Sequence, residues 1–214
     1  MLPEDLMLLF INEQNGKLRT DSSSVENALA GAVLIELVNS GRVAFDPNGK
    51  KLQVVDPTPL KDPLLQESVA RFDKPMKPQR AVERLRKKVR DNVAARLEGR
   101  GVVRVEPRKV FGIFPAKRYV ITDETAAGGV RKAVGEVALG YRGADARTGA
   151  LITLLCAVKS LHKVVDGDKR DMNKRAKDIA AGNWAGDAVR RAVEAIQVGV
   201  VAATAAAAAA SQGG

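Results

Sequence analysis

Residues 28 to 37, "ALAGAVLIEL", form an apolar segment that has almost no polar side when it is drawn as a helix. Ser23 and Glu26 precede it with the spacing of a capping box, and Gly41 follows it where a helix commonly ends. A helix that is apolar on nearly every side is stable in water only when other elements cover it. The segment therefore predicts a helical bundle in which this helix is central and amphipathic helices surround it.

Two other segments favour β-hairpins. Residues 42 to 56, "RVAFDPNGKKLQVVD", place an Asn-Gly pair between two short extended runs, which is typical of a tight turn. Residues 102 to 122, "VVRVEPRKVFGIFPAKRYVIT", predict a second hairpin with its tip around residues 108 to 112. We expect a mainly α fold: a helical bundle with surrounding amphipathic helices and two β-hairpins, one basic with an apolar tip. One domain is predicted over residues 2 to 210, with a frayed tail at 211 to 214.

The sequence lacks the residues that most enzyme and metal sites need. Its one cysteine, Cys156, lies among apolar neighbours, and its one histidine, His162, does not have the spacing from Cys156 that a catalytic pair or a zinc site needs. Neither a zinc site nor a Cys/His nucleophile is predicted from them. No glycine-rich phosphate loop or nucleophile elbow occurs. We therefore predict no catalytic residue, no metal and no cofactor.

The two ends of the chain bear on its location. The N-terminal "MLPEDLMLLF" carries two acidic residues where a secretory signal carries positive charge. Residues 195 to 210, "AIQVGVVAATAAAAAA", are apolar, but alanine contributes little transfer free energy. We expect neither a signal peptide nor a membrane span, and hence a cytoplasmic protein.

Positive charge is concentrated in one part of the sequence. The whole chain has a formal net charge of +10. Residues 71 to 118 contain 16 Lys or Arg and five Asp or Glu, a net charge of +11, which leaves −1 for the rest. Such a concentration predicts an anionic partner, either a membrane surface or a nucleic acid.

Residues 78 to 98 predict one amphipathic helix that carries much of this charge. Its apolar positions recur at intervals of three and four: Val82, Leu85, Val89, Val93 and Leu97. At 100° per residue, Arg90 lies on the flank of this apolar face and four cations lie opposite it: Arg80, Arg84, Lys87 and Lys88. Since Glu83 and Asp91 offset only part of the charge, the helix predicts a cationic ridge.

The second hairpin combines cations with apolar residues. It adds five positive side chains to the ridge: Arg104, Arg108, Lys109, Lys117 and Arg118. Its expected tip contains Val110, Phe111 and Ile113. Apolar residues ringed by cations suit a membrane interface, where they enter the headgroup zone beside anionic lipids. The same apolar residues could instead pack on the core or form a dimer contact in a protein-interaction scaffold.

A nucleic-acid-binding function would also explain the positive charge. The helix over residues 78 to 98 would be the recognition helix of a winged-helix domain, and the basic hairpin would be its wing. Base recognition generally uses short polar side chains, and between Arg80 and Leu97 the exposed face offers only Asn92. This alternative stays open beside the membrane hypothesis.

Three segments, in this order and separation, resemble one protein family: "LPEDLMLLFINEQNGKL" (2–18), "ALAGAVLIELVNSGRV" (28–43) and "VRDNVAARLEGRGVVRVEPRKVFGIF" (89–114). The chain is similar over roughly residues 2 to 183 to the Golgi phosphoprotein 3 family, peripheral membrane proteins that bind phosphatidylinositol 4-phosphate. The resemblance implies a helical bundle, a hairpin that touches the bilayer, and no catalysis. The composition, rich in Ala, Gly, Arg and Asp, predicts a bacterial member.

The resemblance also implies which residues meet the lipid. Two basic residues of the family's lipid pocket correspond to Lys87 and Arg90, and the hydrophobic hairpin tip corresponds to Val110 and Phe111. Two pocket positions depart from the family pattern, which has a tryptophan at Asp21 and an arginine at Ala30. Because Asp21 repels phosphate, the resemblance implies binding of anionic headgroups and leaves the choice of headgroup open.

These observations predict a cytoplasmic, non-enzymatic protein that associates reversibly with anionic membranes. The expected phosphate-binding residues are Lys87, Arg90, Arg84 and Arg80, with the first two nearest the phosphate. The expected inserting residues are Val110, Phe111 and Ile113. The predicted partner is an anionic membrane surface, with a phosphoinositide or another acidic lipid as the ligand, while any protein cargo and the oligomeric state are not specified by the sequence.

Overall fold

The computed structural model describes residues 1–110, 114–181 and 187–212, and within them it contains ten helices and four strands. The helices are α1 (Leu2–Phe10), α2 (Ser22–Asn39), α3 (Pro63–Val69), α4 (Pro78–Leu85), α5 (Val89–Gly99), α6 (Glu124–Leu139), α7 (Ala146–Ala157), α8 (Leu161–Val164), α9 (Lys169–Ala181) and α10 (Asp187–Gln212). The strands are β1 (Val43–Phe45), β2 (Leu52–Val54), β3 (Val103–Val110) and β4 (Phe114–Ile121). The predicted mainly α fold with two hairpins is confirmed.

Helix α2 lies at the centre of the bundle, as its apolar sequence predicts. Leu29, Val33 and Leu34 are completely buried, and α1, α4, α7 and α10 pack around the helix. Gly31 permits the closest of these approaches, because a Cβ atom there would lie 2.7 Å from Cγ2 of Val200 and 2.8 Å from Cδ2 of Leu154. The absence of a side chain at this position therefore lets α7 and α10 contact the backbone of α2.

The start of α2 differs from the predicted capping box. Asp21 is the N-cap, and its Oδ1 accepts a hydrogen bond from the backbone N–H of Ser24 at 2.8 Å. Ser23 lies inside the first turn, and the Glu26 carboxylate faces two arginines of the basic segment. The predicted pairing of Ser23 with Glu26 is therefore wrong, because Glu26 takes part in tertiary ion pairs instead.

Both predicted hairpins are present as two-stranded antiparallel sheets. In the first, β1 pairs with β2, and Gly49 adopts the left-handed conformation in the turn, with φ 67°. In the second, β3 pairs with β4 from Val103↔Ile121 to Val110↔Phe114. This register gives the second hairpin eight paired positions, so it is a long arm that begins beside α5.

The basic segment forms two helices, and the prediction of one continuous helix over residues 78 to 98 is wrong. Helix α4 ends at Leu85 and α5 begins at Val89, with Lys88 in the left-handed conformation at φ 62°. Nη1 of Arg71 donates hydrogen bonds to the carbonyl oxygens of Arg84, at 3.2 Å, and Lys87, at 3.0 Å. Arg71 thereby satisfies carbonyl groups that the interrupted helix leaves without a helical partner. The apolar stripe is nevertheless buried in both helices.

Helix α10 is long and apolar, and it covers one side of the bundle. Residues 191–211 meet the length and hydropathy criterion for a membrane span, a criterion that core helices also meet, and 33% of this window is buried. The buried residues Val193, Ile196 and Val200 recur at intervals of three and four. Helix α10 therefore packs one face against α2, α4 and α7.

Candidate functional site

The two predicted phosphate-binding residues on α4 form ion pairs. Arg84 binds both carboxylate oxygens of Asp73, with Nη2 2.9 Å from Oδ2. Nη1 of Arg80 lies 3.3 Å from Oε2 of Glu83. The charge on α4 is thus partly neutralised, and Asp73 supplies a partner from outside the helix that the sequence analysis did not anticipate.

Lys87 and Arg90 lie on either side of the start of α5. Lys87 is in the break between the two helices and its side chain is exposed. Arg90 is in the first turn of α5 and its side chain is only 23% exposed. Neither residue therefore belongs to α4, the helix that carries the two ion-paired arginines.

The Arg90 guanidinium is held near carboxylates without short contacts to them. Its Nη1 lies 3.6 Å from Oε1 of Glu26, and its Nε lies 3.7 Å from Oδ1 of Asp91. Both distances exceed a normal hydrogen bond, and the Arg90 Nε is buried without a hydrogen-bond partner. Arg90 therefore retains donor capacity for a further acceptor.

Arg90 lines an open groove of about 840 Å³ that we name the cationic groove. One wall is the chain from Lys17 to the start of α2, and the other is formed by the second hairpin. The lining residues are Lys17, Leu18, Thr20, Asp21, Ser22, Arg90, Val105, Pro107, Arg108, Ala116, Lys117 and Tyr119. Four of them are cations and one is an acid, so the groove is suited to an anion.

Gly16 brings the two walls of the groove together. Its carbonyl accepts a hydrogen bond from the backbone N–H of Tyr119 at 2.8 Å. Gly16 has φ 66°, and a Cβ atom there would lie 2.6 Å from Cγ of Arg118 and 2.8 Å from the Tyr119 carbonyl oxygen. Only a glycine fits this conformation at this separation, so Gly16 fixes the hairpin against the loop that follows α1.

Two acidic residues modulate the charge of the groove. The Lys117 ammonium donates a hydrogen bond to Oδ1 of Asp91 at 2.8 Å, and this contact holds the pKa of Asp91 below its ordinary value. Burial raises the pKa of Asp21, but hydrogen bonds from Ser24 and Thr20 outweigh that effect and the net pKa is lowered. Asp21 is therefore an anion at neutral pH, inside a groove that is otherwise positive.

The remaining cations of the groove are unpaired. Within the described residues, Lys17 and Arg108 form no ion pair with a carboxylate. The groove also includes Asp21 and Ser22 at the N-terminus of α2, where the helix dipole adds partial positive charge. Two unpaired cations, a partly unsatisfied arginine and a helix terminus thus face one cavity.

Sequence reasoning found part of this groove. Arg90 was named as a phosphate-binding residue and lines it, whereas Lys87, Arg84 and Arg80 are not among the described lining residues. Lys17 was missed, and Arg108 was expected on the hairpin without a place in the site. Of the predicted tip, Val110 ends β3, while Phe111 and Ile113 lie outside the described residues.

The groove and both hairpins fall within one family match. The matching family model is described as Golgi phosphoprotein 3 (GPP34), and it covers residues 2–196. This chain belongs to the Golgi phosphoprotein 3 family. A search of curated proteins finds no match. The family membership that the three sequence segments predicted is therefore confirmed.

The resemblance implies departures from the family pattern at Asp21 and Ala30, and the structure shows where both residues lie. Asp21, in place of a tryptophan, is both the N-cap of α2 and a wall of the cationic groove. Ala30, in place of an arginine, is completely buried inside α2. Asp21 therefore puts an acid inside the groove, and Ala30 is an apolar contact in the core.

Proposed function

We propose that this member of the Golgi phosphoprotein 3 family is a non-enzymatic peripheral membrane protein that binds an anionic phospholipid headgroup in the cationic groove. The observation that carries the proposal is Arg90, which lines the groove and whose guanidinium has no carboxylate within normal hydrogen-bond distance. A phosphate oxygen supplies the acceptor that such a donor lacks, in a charge-assisted hydrogen bond. Family membership supports association with a membrane surface.

The other cations of the groove supply the remaining contacts. Lys17 and Arg108 lie on opposite walls, so a headgroup between them is within reach of positive charge from both sides. Lys87 is exposed close to Arg90 in sequence and adds a point charge at the edge of the site. Arg80 and Arg84 form ion pairs with acids outside the groove, so they add little net positive charge to the surface.

The hairpin connects the groove to the bilayer. Arg108 is three residues before Phe111, and an extended chain spans at most roughly 3.6 Å per residue, so the two lie within about 11 Å of each other. Interfacial side chains enter a bilayer to a depth of roughly 5 to 10 Å. Insertion of Val110, Phe111 and Ile113 would therefore leave Arg108 at the level of the headgroups.

Asp21 bears on which headgroup is preferred. It is ionised, and it lies in the groove with the cations, so a headgroup with several phosphates would bring one of them close to a negative charge. A headgroup with one accessible phosphate avoids this repulsion. We propose an anionic headgroup of low charge, and phosphatidylinositol 4-phosphate remains the family's candidate.

Vesicle sedimentation tests the proposal. Vesicles of phosphatidylcholine alone are compared with vesicles that also contain phosphatidylserine or phosphatidylinositol 4-phosphate. Lys87→Glu/Arg90→Glu is expected to weaken binding to the anionic vesicles at least tenfold, since about 1.4 kcal/mol corresponds to tenfold and each charge near the surface contributes about 1 kcal/mol. Lys132→Glu/Lys177→Glu, the same change of charge on exposed residues of α6 and α9, is expected to have a much smaller effect.

Two outcomes would count against the proposal. Equal binding by the parent and Lys87→Glu/Arg90→Glu would show that the lipid does not bind at this site. If the parent bound no anionic vesicle, the proposed function would be wrong. A gel shift with sequence preference at physiological salt would favour the nucleic-acid alternative, although the break at Arg86 to Lys88 removes the continuous recognition helix on which that alternative depends. If light scattering showed that the parent is a dimer and that Phe111→Asp is a monomer, the protein-interaction scaffold would be favoured.

A further inference from the structure

The outer face of α10 is apolar and uncovered. From Gln197 to Gln212 the helix contains no ionisable side chain. Val198 is 69% exposed and Val201 is 46% exposed, and Ala205 and Ala208 continue the same face at intervals of three and four. Scattered apolar residues on a surface need no explanation, but these four form one continuous stripe on a single helix.

The direction of α10 brings this stripe to the same end of the molecule as the cationic groove. Val200 packs against Gly31 of α2, and Thr204 accepts a hydrogen bond from the amide of Asn27 at 3.1 Å. Each step of four residues along α10 therefore runs four residues back along α2. The C-terminal half of α10 consequently lies beside the N-terminus of α2, where Asp21 lines the cationic groove.

The two surfaces share residues. A second groove, of about 590 Å³, lies between the end of α10 and the start of α2. Val201, Ala205 and Ala208 line one side of it, and Thr20 and Asp21 line the other. Because Thr20 and Asp21 also line the cationic groove, the apolar stripe and the cationic groove adjoin each other without an intervening element.

Cations border the apolar stripe as well. Lys159 and Lys163 are exposed and line the second groove, and the Lys163 ammonium donates a hydrogen bond to the Thr20 hydroxyl at 3.3 Å. Within the described residues, neither lysine forms an ion pair with a carboxylate. Lysines at the edge of an apolar helix face are the arrangement that an interfacial helix presents to anionic lipids.

We infer that the outer face of α10, formed by Val198, Val201, Ala205 and Ala208 and bordered by Lys159 and Lys163, is a second contact with the bilayer beside the cationic groove. This inference rests on the proposed function, because the bilayer that the groove holds is the surface that the stripe meets. A second copy of the chain is a poorer occupant, since a stable dimer buries roughly 800 Å² on each partner and four small side chains supply much less.

A fluorescent label tests where the stripe lies. Ala205→Cys is labelled with an environment-sensitive dye, and Val55→Cys, at an exposed valine beyond the opposite end of α2, is the control. Burial raises the pKa of the native Cys156 thiol to about 11, so labelling at neutral pH selects the introduced thiol. On anionic vesicles that sediment with the protein, the dye at 205 is expected to shift to the blue and to be quenched by brominated lipid, and the dye at 55 is not.

Substitution provides a second measurement. Val201→Asp is expected to weaken vesicle binding about tenfold, since it puts a charge where the bilayer would otherwise bury an apolar side chain, and Val55→Asp less than about twofold. Binding of the labelled protein without any change of the dye at 205 would overturn this inference and leave the proposed function standing. Loss of all vesicle binding in the parent would overturn both. A blue shift without vesicles that grows with protein concentration would assign the stripe to self-association and overturn the inference.

Discussion

Arg90 and Glu26 face each other across the junction of α5 and α2, with Nη1 3.6 Å from Oε1. The same carboxylate has its Oε2 3.7 Å from Nη2 of Arg86. One acid therefore lies between two arginines without forming a short contact to either. This arrangement restrains Arg90 and leaves its guanidinium able to bind a second anion.

Glu26→Gln should strengthen binding to anionic vesicles. The substitution keeps the size of the side chain and removes a negative charge beside Arg90, so the field of the groove becomes more positive. We expect vesicle binding to rise about two- to fivefold, which corresponds to the roughly 0.5 to 1 kcal/mol of a partly exposed charge. Sedimentation at low and physiological salt measures it. Weaker binding would show that Glu26 acts mainly by positioning Arg90.

Gly16→Ala should displace the second hairpin. The new Cβ atom would meet the Tyr119 carbonyl and the Arg118 side chain at distances below 3 Å, in a backbone conformation with φ 66°. We expect the free energy of unfolding to fall by about 2 to 3 kcal/mol, measured by urea denaturation, and vesicle binding to fall with it.

Gly49→Ala is the matched control for Gly16→Ala. Gly49 has nearly the same backbone conformation, with φ 67°, but nothing lies within 4 Å of its Cβ position. Gly49→Ala should lower the free energy of unfolding only by the backbone strain, about 1 kcal/mol, and should leave vesicle binding unchanged. If Gly16→Ala and Gly49→Ala lowered the free energy of unfolding equally, the close approach of the hairpin to Gly16 would not contribute to stability.

The comparison of Gly31 and Lys88 shows what the sequence can predict here. The apolar run around Gly31 requires cover on every side whatever its neighbours are, so the bundle and its central helix follow from local pattern. The break at Lys88 depends on Arg71, which lies 17 residues earlier and satisfies carbonyl groups across space. Helical periodicity contains no information about that contact, so a continuous helix was the natural but wrong prediction.

The cationic groove was only partly predictable for the same reason. Arg90 could be placed because its family segment is continuous in sequence. Lys17 and Arg108 are 91 positions apart and meet across the groove because Gly16 bonds to the hairpin. The register of β3 with β4 determines where the cations lie on the hairpin. The position of the hairpin on the domain depends on tertiary contacts, which the sequence pattern does not predict. Charge concentration thus predicts an anionic ligand, which stays a prediction, and it did not place Lys17 in the groove.

The ionised Glu4 carboxylate should stabilise the protein at neutral pH, and this stabilisation should be lost in acid. Its carboxylate is buried, and burial raises its pKa, but hydrogen bonds from the α-amino group of Met1, from Arg96 Nε at 2.6 Å and from Arg100 Nη1 at 2.8 Å lower the pKa from 4.5 to about 2. A lowered pKa in the folded state stabilises the protein above the pKa of the unfolded chain. That stabilisation is lost as the pH falls from about 4.5 towards about 2.

Glu4→Gln isolates this contribution. At pH 7 we expect the variant to be less stable than the parent by about 3 kcal/mol, since one pKa unit corresponds to about 1.4 kcal/mol. The difference should shrink towards zero as the pH falls to about 2 and below, because the parent carboxylate becomes protonated too. Urea denaturation of both proteins across this pH range measures it. A difference that stays constant with pH would show that shape and packing at Glu4, and not its charge, stabilise the fold.

Asp21→Asn should separate the two roles of Asp21. Asparagine caps helices as well as aspartate does, so the start of α2 is kept while the negative charge leaves the cationic groove. We expect stability to change by less than about 0.5 kcal/mol and binding to multiply phosphorylated phosphoinositides to rise more than binding to phosphatidylserine, because repulsion grows with headgroup charge. Asp123→Asn, which makes the same change at the N-cap of α6, should leave headgroup preference as it is in the parent. If both variants altered the headgroup preference equally, the effect would come from net charge, and Asp21 would not be the residue that discriminates among headgroups.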